Sequence, residues 1–122
     1  MNRLNEIEAR TNAATEGPWV TYTVTPHMGS EVLTAPREGE DYGDYVVPEY
    51  IDMDDAEFIA DARTDVPDMA AALRAVLNLH FKAQPIPAAF GTQEGGDYCV
   101  TCAEDWPCPT VETIHQHLGE DA

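Results

Sequence analysis

All of the cysteines lie in the last quarter of the chain, as Cys99-Val100-Thr101-Cys102 and then Cys108 within Trp106-Pro107-Cys108-Pro109-Thr110. Three thiols cannot close into a full set of disulfides, whereas three thiolates and one histidine complete a tetrahedral zinc site. Cys-x2-Cys is the turn spacing at which two sulfurs from one knuckle reach a single ion. Cys108 sits just ahead of a predicted helix, where the dipole and free N–H groups favour a thiolate. The other reading of these cysteines is three buried, inert small hydrophobes.

A fourth ligand has to come from His27, His80, His115, His117, Glu104 or Asp105. His115 lies seven residues beyond Cys108, and two helical turns would separate their Cα atoms by about 10 Å, an awkward span for one zinc. His80 continues the apolar stripe of the helix that precedes the cysteines, and a long loop brings the chain back to Cys99. The predicted set is therefore His80, Cys99, Cys102 and Cys108, with His115 as the alternative fourth ligand. Four protein ligands make a closed site, so the predicted Zn2+ is structural.

Other chemistry is sparse. The chain has no phosphate-cradling glycine loop, nucleophile elbow or His-Glu-x-x-His motif. Asp52-x-Asp54-Asp55 begins like a calcium loop but lacks its glycine and bidentate acid. No catalytic residue is predicted, and the expectation is a protein that is not an enzyme. Asp41-Tyr42-Gly43-Asp44-Tyr45 is an acidic turn with two tyrosines, and Tyr42 and Tyr45 are the predicted partner-contacting residues.

Charge narrows the partners. Twenty-three acids against six bases give a net charge of −17. Twelve of the acids fall between Glu38 and Asp68, and no Lys or Arg follows Lys82. Such a chain repels nucleic acid and anionic membrane and attracts basic partners. The same charge also suits plain solubility, or imitation of nucleic acid. No apolar run reaches the length of a membrane span, the N-terminus lacks a signal-type apolar core, and the odd cysteine count suits a reducing cytosol. The expected location is cytoplasmic.

The elements that must position these residues can be read from periodicity. Residues 3 to 14 carry Leu4, Ile7, Thr11 and Ala14 at helical spacing, with Asn2 as cap, and Gly17-Pro18 ends the helix. Trp19 to Val24 and Glu31 to Ala35 read as two strands around a turn at Pro26 to Ser30. Residues 36 to 44 read as a polar loop, and Tyr45-Val46-Val47 as a third strand that Pro48 cuts off. Two helices are expected next: Asp52 to Arg63, with Phe58, Ile59 and Ala62 on one side, and a second capped by Thr64 or Asp65 and running to about Phe81. The second helix carries the stripe Met69, Leu73, Val76, Leu77 and His80. A Pro- and Gly-rich loop and a final helix opened by Pro109 complete the chain. The fold class is α+β: a short antiparallel sheet of about three strands with three to four helices and a C-terminal zinc clasp. The predicted layout is a core domain over 1–83, a loop over 84–98 and a zinc-stabilised tail over 99–122.

Ala14-Thr15-Glu16-Gly17-Pro18-Trp19, followed by Asp55-Ala56-Glu57-Phe58-Ile59-Ala60, resembles the Ead-like family of small phage accessory proteins, although Glu16 stands where that family usually has proline. Ala62 to Pro67, the helix ending Leu79-His80 and the Cys99-to-Thr110 tail resemble its actinobacterial phage and prophage members. The resemblance implies a dispensable phage product acting inside the host, favours the set of His80 with three cysteines, and implies no reaction. The expected function is a non-enzymatic accessory protein that binds a host protein or other macromolecule, or a small signalling molecule, and blunts defence. Its rivals are an acidic mimic of nucleic acid that sequesters a basic host protein, and a sponge for nucleotide signals. The sponge would draw positive charge from Arg10, Arg37, Arg63 and Arg74.

Overall fold

The computed structural model describes residues 3–23, 25, 27–85 and 96–119. The chain divides into two compact units, Ile7–Ala70 and Met1–Glu6 with Ala71–Ala122. Its elements, in order, are α1 (Arg3–Ala13), β1 (Trp19–Tyr22), β2 (Ser30–Thr34), β3 (Tyr45–Ile51), α2 (Met53–Leu79), β4 (Lys82–Ala83), β5 (Tyr98–Cys99) and α3 (Pro109–Leu118). This is an α+β fold with a three-stranded antiparallel sheet and a second, two-stranded one. Asn2, Val24 and Pro26 lie outside the described residues, as does most of the expected Pro- and Gly-rich loop.

In the unit Ile7–Ala70 the sheet order is β1-β2-β3. β2 is the central strand, and all five of its residues are buried. Trp19 pairs with Thr34 and Tyr22 with Glu31 on one side, and Ser30 pairs with Ile51 and Val32 with Val47 on the other. Between those pairs Glu31 alone faces Pro48, Glu49 and Tyr50, which is a bulge. Pro48 falls inside that bulge on an edge strand, where no ladder N–H is required of it. That is why β3 runs on to Ile51, past the proline expected to cut it off at Val47.

The core of this unit is Val32 with Ala56 and Ala60 of α2, and Trp19, Val46, Val47, Ile51 and Ile59 pack around it. Trp19 packs against this core, and its indole N–H donates to the Thr15 carbonyl at 3.2 Å. The helix approaches the sheet through its alanines, so of the expected face Ile59 packs on the core while Phe58 does not. Phe58 points outward and is 76% exposed.

α2 is also one helix of 27 residues where two are expected. Asp52 caps it, its carboxylate accepting from the Asp54 N–H at 2.9 Å. Pro67 lacks the N–H that would bond the Arg63 carbonyl, but Met69-Ala70-Ala71-Ala72-Leu73 are strong helix formers that carry the helix through.

The remaining unit is built from short pieces. β4 and β5 pair over only two residues each, Lys82 with Cys99 and Ala83 with Tyr98. Val100 donates to the Phe81 carbonyl at 3.0 Å, and the Thr101 hydroxyl bonds the Leu79 carbonyl at the end of α2. Pro109 occupies the first turn of α3, and Gly119 ends it in the left-handed region at φ 75°. Among the described residues no helix is long and apolar enough to cross a membrane.

One contact in the larger sheet invites a direct test. Thr34 exchanges two bonds with Asp44, its N–H to the Asp44 carbonyl and its hydroxyl from the Asp44 N–H, both at 2.8 Å. A Cβ on Gly43 would run into the Thr34 carbonyl and hydroxyl. Gly43→Ala should therefore cost about 1–3 kcal/mol by overpacking, read as a lower urea midpoint at unchanged slope. A midpoint equal to wild type would show that the loop relaxes freely.

Candidate metal centre

Three turns of chain deliver the ligands. His80 follows directly on α2 and keeps a helical bond from its N–H to the Val76 carbonyl at 3.2 Å. The β4–β5 pairing places Cys99 beside Lys82, two residues from His80 in sequence. After Cys99 the chain folds into a knuckle: Ala103 N–H donates to the Cys99 carbonyl and Cys99 N–H to the Glu104 carbonyl, each at 2.8 Å. Ala103 adopts φ 62°, a left-handed conformation that non-glycine residues rarely take, and it turns the chain sharply after Cys102. Tyr98 bridges Asp105, and Trp106 N–H donates to the Asp97 carbonyl at 3.0 Å, so the chain closes on itself before Cys108. Cys108 is the N-cap of α3 in extended conformation, as its place before Pro109 predicts.

The ligand atoms of His80, Cys99, Cys102 and Cys108 all lie within 4.8 Å of one another, and the group could hold a metal ion. His80 Nδ1 is 3.4 Å from Cys99 Sγ and 3.6 Å from Cys108 Sγ. An ideal tetrahedron with metal bonds of about 2.3 Å to sulfur and about 2.0 Å to nitrogen has an S···N edge of about 3.5 Å. The observed separations match that edge. All three cysteines are free; Cys99 and Cys108 are fully buried, and Cys102 is exposed. Leu77, Trp106 and Val111 pack against the two buried ones and keep that side of the site apolar.

The knuckle also prepares the charge state. Burial works against the thiolate of Cys99, but the N–H of Cys102, the Cys102 thiol, the His80 ring and the N–H of Thr101 outweigh it and hold Cys99 at about 6. At Cys102 the Glu104 N–H favours the thiolate, but burial and the neighbouring thiols Cys99 and Cys108 prevail and raise it. Cys99 therefore loses its proton before Cys102, whose thiolate is favoured once a cation offsets the added charge.

His115, the alternative ligand, lies on α3 and is not part of the cluster. His117 turns back on its own helix, with Nδ1 2.9 Å from the Thr113 carbonyl. His27 is in the turn before β2, in the unit Ile7–Ala70. In that same unit Tyr42 stacks edge to face on Tyr22, with ring centroids 5.3 Å apart, and contact with the Tyr42 hydroxyl raises the Tyr22 pKa. Tyr42 and Tyr45 are both largely exposed.

Sequence reasoning missed the β4–β5 pairing and the Thr101 bond to Leu79, the two features that set the distance from His80 to Cys99. The available signal was the run Tyr98-Cys99-Val100-Thr101, rich in strand-forming residues. No protein-family profile, curated protein or solved structure matches the chain.

A pH test follows from Cys99. Its folded-state value lies below its unfolded one, so its thiolate adds stability above the ordinary thiol range that is lost as pH falls through about 6. Reduced, metal-free protein should show one thiolate absorbance step near pH 6 that Cys99→Ser removes. Its thermal stability should fall more steeply than that of the variant as pH is lowered from about 8.5 to about 6. Equal slopes would contradict the assignment.

Proposed function

We propose that the chain is a non-enzymatic binding protein whose C-terminal unit is stabilised by one structural Zn2+, held by His80, Cys99, Cys102 and Cys108. The observation that carries this reading is the converged set of three thiols and one imidazole within 4.8 Å, with the imidazole at tetrahedral-edge distance from Cys99 and Cys108. Soft sulfur ligands with one imidazole select zinc over magnesium or calcium. Four protein ligands leave no open position for a substrate or an activated water, which supports a scaffold over a catalyst.

The resemblance to Ead-like phage accessory proteins supplies the setting: a product working in the host cytoplasm, binding a host macromolecule or signal and blunting defence. The charge of −17 favours a basic partner. Of the four arginines named for a sponge for nucleotide signals, only Arg10 and Arg63 line one groove, and the others are taken up elsewhere. Arg37 is taken up by Glu40 and Asp44 at 2.8 and 2.9 Å, and Arg74 bonds Asn5. Arg63 donates from Nε to the Thr15 carbonyl and lies over the Trp19 ring.

Elemental analysis of freshly purified, reduced protein should give about one zinc per chain, and a chelator should release it and loosen the C-terminal unit. His80→Ala should weaken zinc by at least about a hundredfold, while His115→Ala should leave it unchanged. Protein purified without metal, or equal losses in the two variants, would sink the assignment. Affinity capture from host lysate at low and high salt tests the binding role. A partner retained at high salt supports shape-specific binding, and an empty capture counts against a macromolecular partner.

A further inference from the structure

In the unit Ile7–Ala70, one face of α2 carries apolar side chains that the core does not use. Phe58 is 76% exposed and Met69 59%. With Ala62 and Val66 between them they recur at i, i+4, i+8 and i+11, a single stripe along the helix. Eleven residues at the helical rise span about 16 Å, or three turns. Phe58, Ala62 and Val66 of the stripe line a groove of about 310 Å³ whose inner wall includes Trp19, Ala14, Arg10 and Arg63, and Met69 continues the stripe beyond it.

The two sides of that stripe differ in charge. On the inner wall Arg63 is engaged with Thr15 and Trp19. On the solvent side Asp61, Asp65 and Asp68 recur at i, i+4 and i+7, all exposed and none in an ion pair among the described residues. Three like charges in a row along one helix cost a little stability. They form a negative rail beside an apolar floor, on a chain that already attracts cations.

We propose that this groove docks a basic amphipathic helix of a partner protein, its apolar anchors on Phe58 and Val66 and its lysines or arginines against Asp61, Asp65 and Asp68, on the side away from Arg10 and Arg63. The dimensions and the charge pattern fit helix-in-groove recognition, in which anchors at i, i+3 or i+4, and i+7 enter an apolar channel. A second copy of this chain is disfavoured by its own charge. The proposal deepens the reading of the protein as a binder and names its surface; it does not depend on the metal.

The test uses a labelled synthetic helix with leucines at i, i+3, i+4 and i+7 and lysines on one flank, and a scrambled peptide of identical composition. Wild type should bind the ordered peptide well above the scrambled one in fluorescence polarisation. Phe58→Ala should weaken binding about tenfold, as loss of an exposed anchor does. Asp61→Asn/Asp65→Asn/Asp68→Asn should weaken it and flatten its salt dependence, while Glu38→Gln/Asp41→Asn/Glu49→Gln should leave it near wild type. Each variant is checked for wild-type circular dichroism and zinc content. Equal binding of the two peptides, no binding at all, or wild-type affinity in the Phe58 and Asp61/65/68 variants would overturn the groove. If Phe58→Ala keeps a high-salt partner captured by wild type, the protein binds elsewhere; if wild type captures nothing, the broader reading fails instead.

Discussion

Crowding three sulfurs and an imidazole nitrogen within 4.8 Å is the constraint around which the C-terminal unit is arranged. Its secondary structure could not fix those positions alone. A pairing of two residues per strand, as in β4 and β5, is far below what is stable in isolation. Each element nonetheless adjoins a member of the cluster: His80 follows α2, Cys99 ends β5, and Cys108 caps α3. Burial contributes little more: among the described residues of this unit the buried side chains are Leu4, Cys99, Cys108 and Val111, with Leu77 and Trp106 packed around the last three. Cross-linking through a shared centre is the natural substitute for a core in so small a body.

The unit Ile7–Ala70 solves the same problem by ordinary means. β2 is covered on both sides by neighbouring strands, and alanines let α2 lie close over Val32. A close helix–sheet approach leaves no room for large side chains at the contact. Phe58, two residues from both Ala56 and Ala60, falls on the opposite side of the helix, and an apolar stripe remains at the surface.

The grouping of His80 with the three cysteines could be read from the sequence because it depends on residue type and helical phase, both local properties. His80 follows Leu73, Val76 and Leu77 on one stripe, and the three cysteines have few alternatives. The strand and helix positions could be read to within a residue or two for α1, β1, β2 and α3. What was not legible depends on long-range context. Pro67 reads locally as a helix start, yet its neighbours on both sides favour one continuous helix. Pro48 reads as a strand end until the register with β2 is known. Phe58 ranks as core by hydrophobicity, and only the tertiary spacing of helix and sheet reveals that Ala56 and Ala60 take its place.

Pro48 has a further effect where it stands. β3 is an edge strand of seven residues with Tyr45 and Tyr50 exposed, a length and composition that could recruit a strand from another chain. The missing N–H and the bulge around it break the row of donors and acceptors that such recruitment would need. The proline that interrupts the ladder thus leaves the sheet a poor template for intermolecular pairing, protecting against aggregation a chain that must present apolar surface elsewhere.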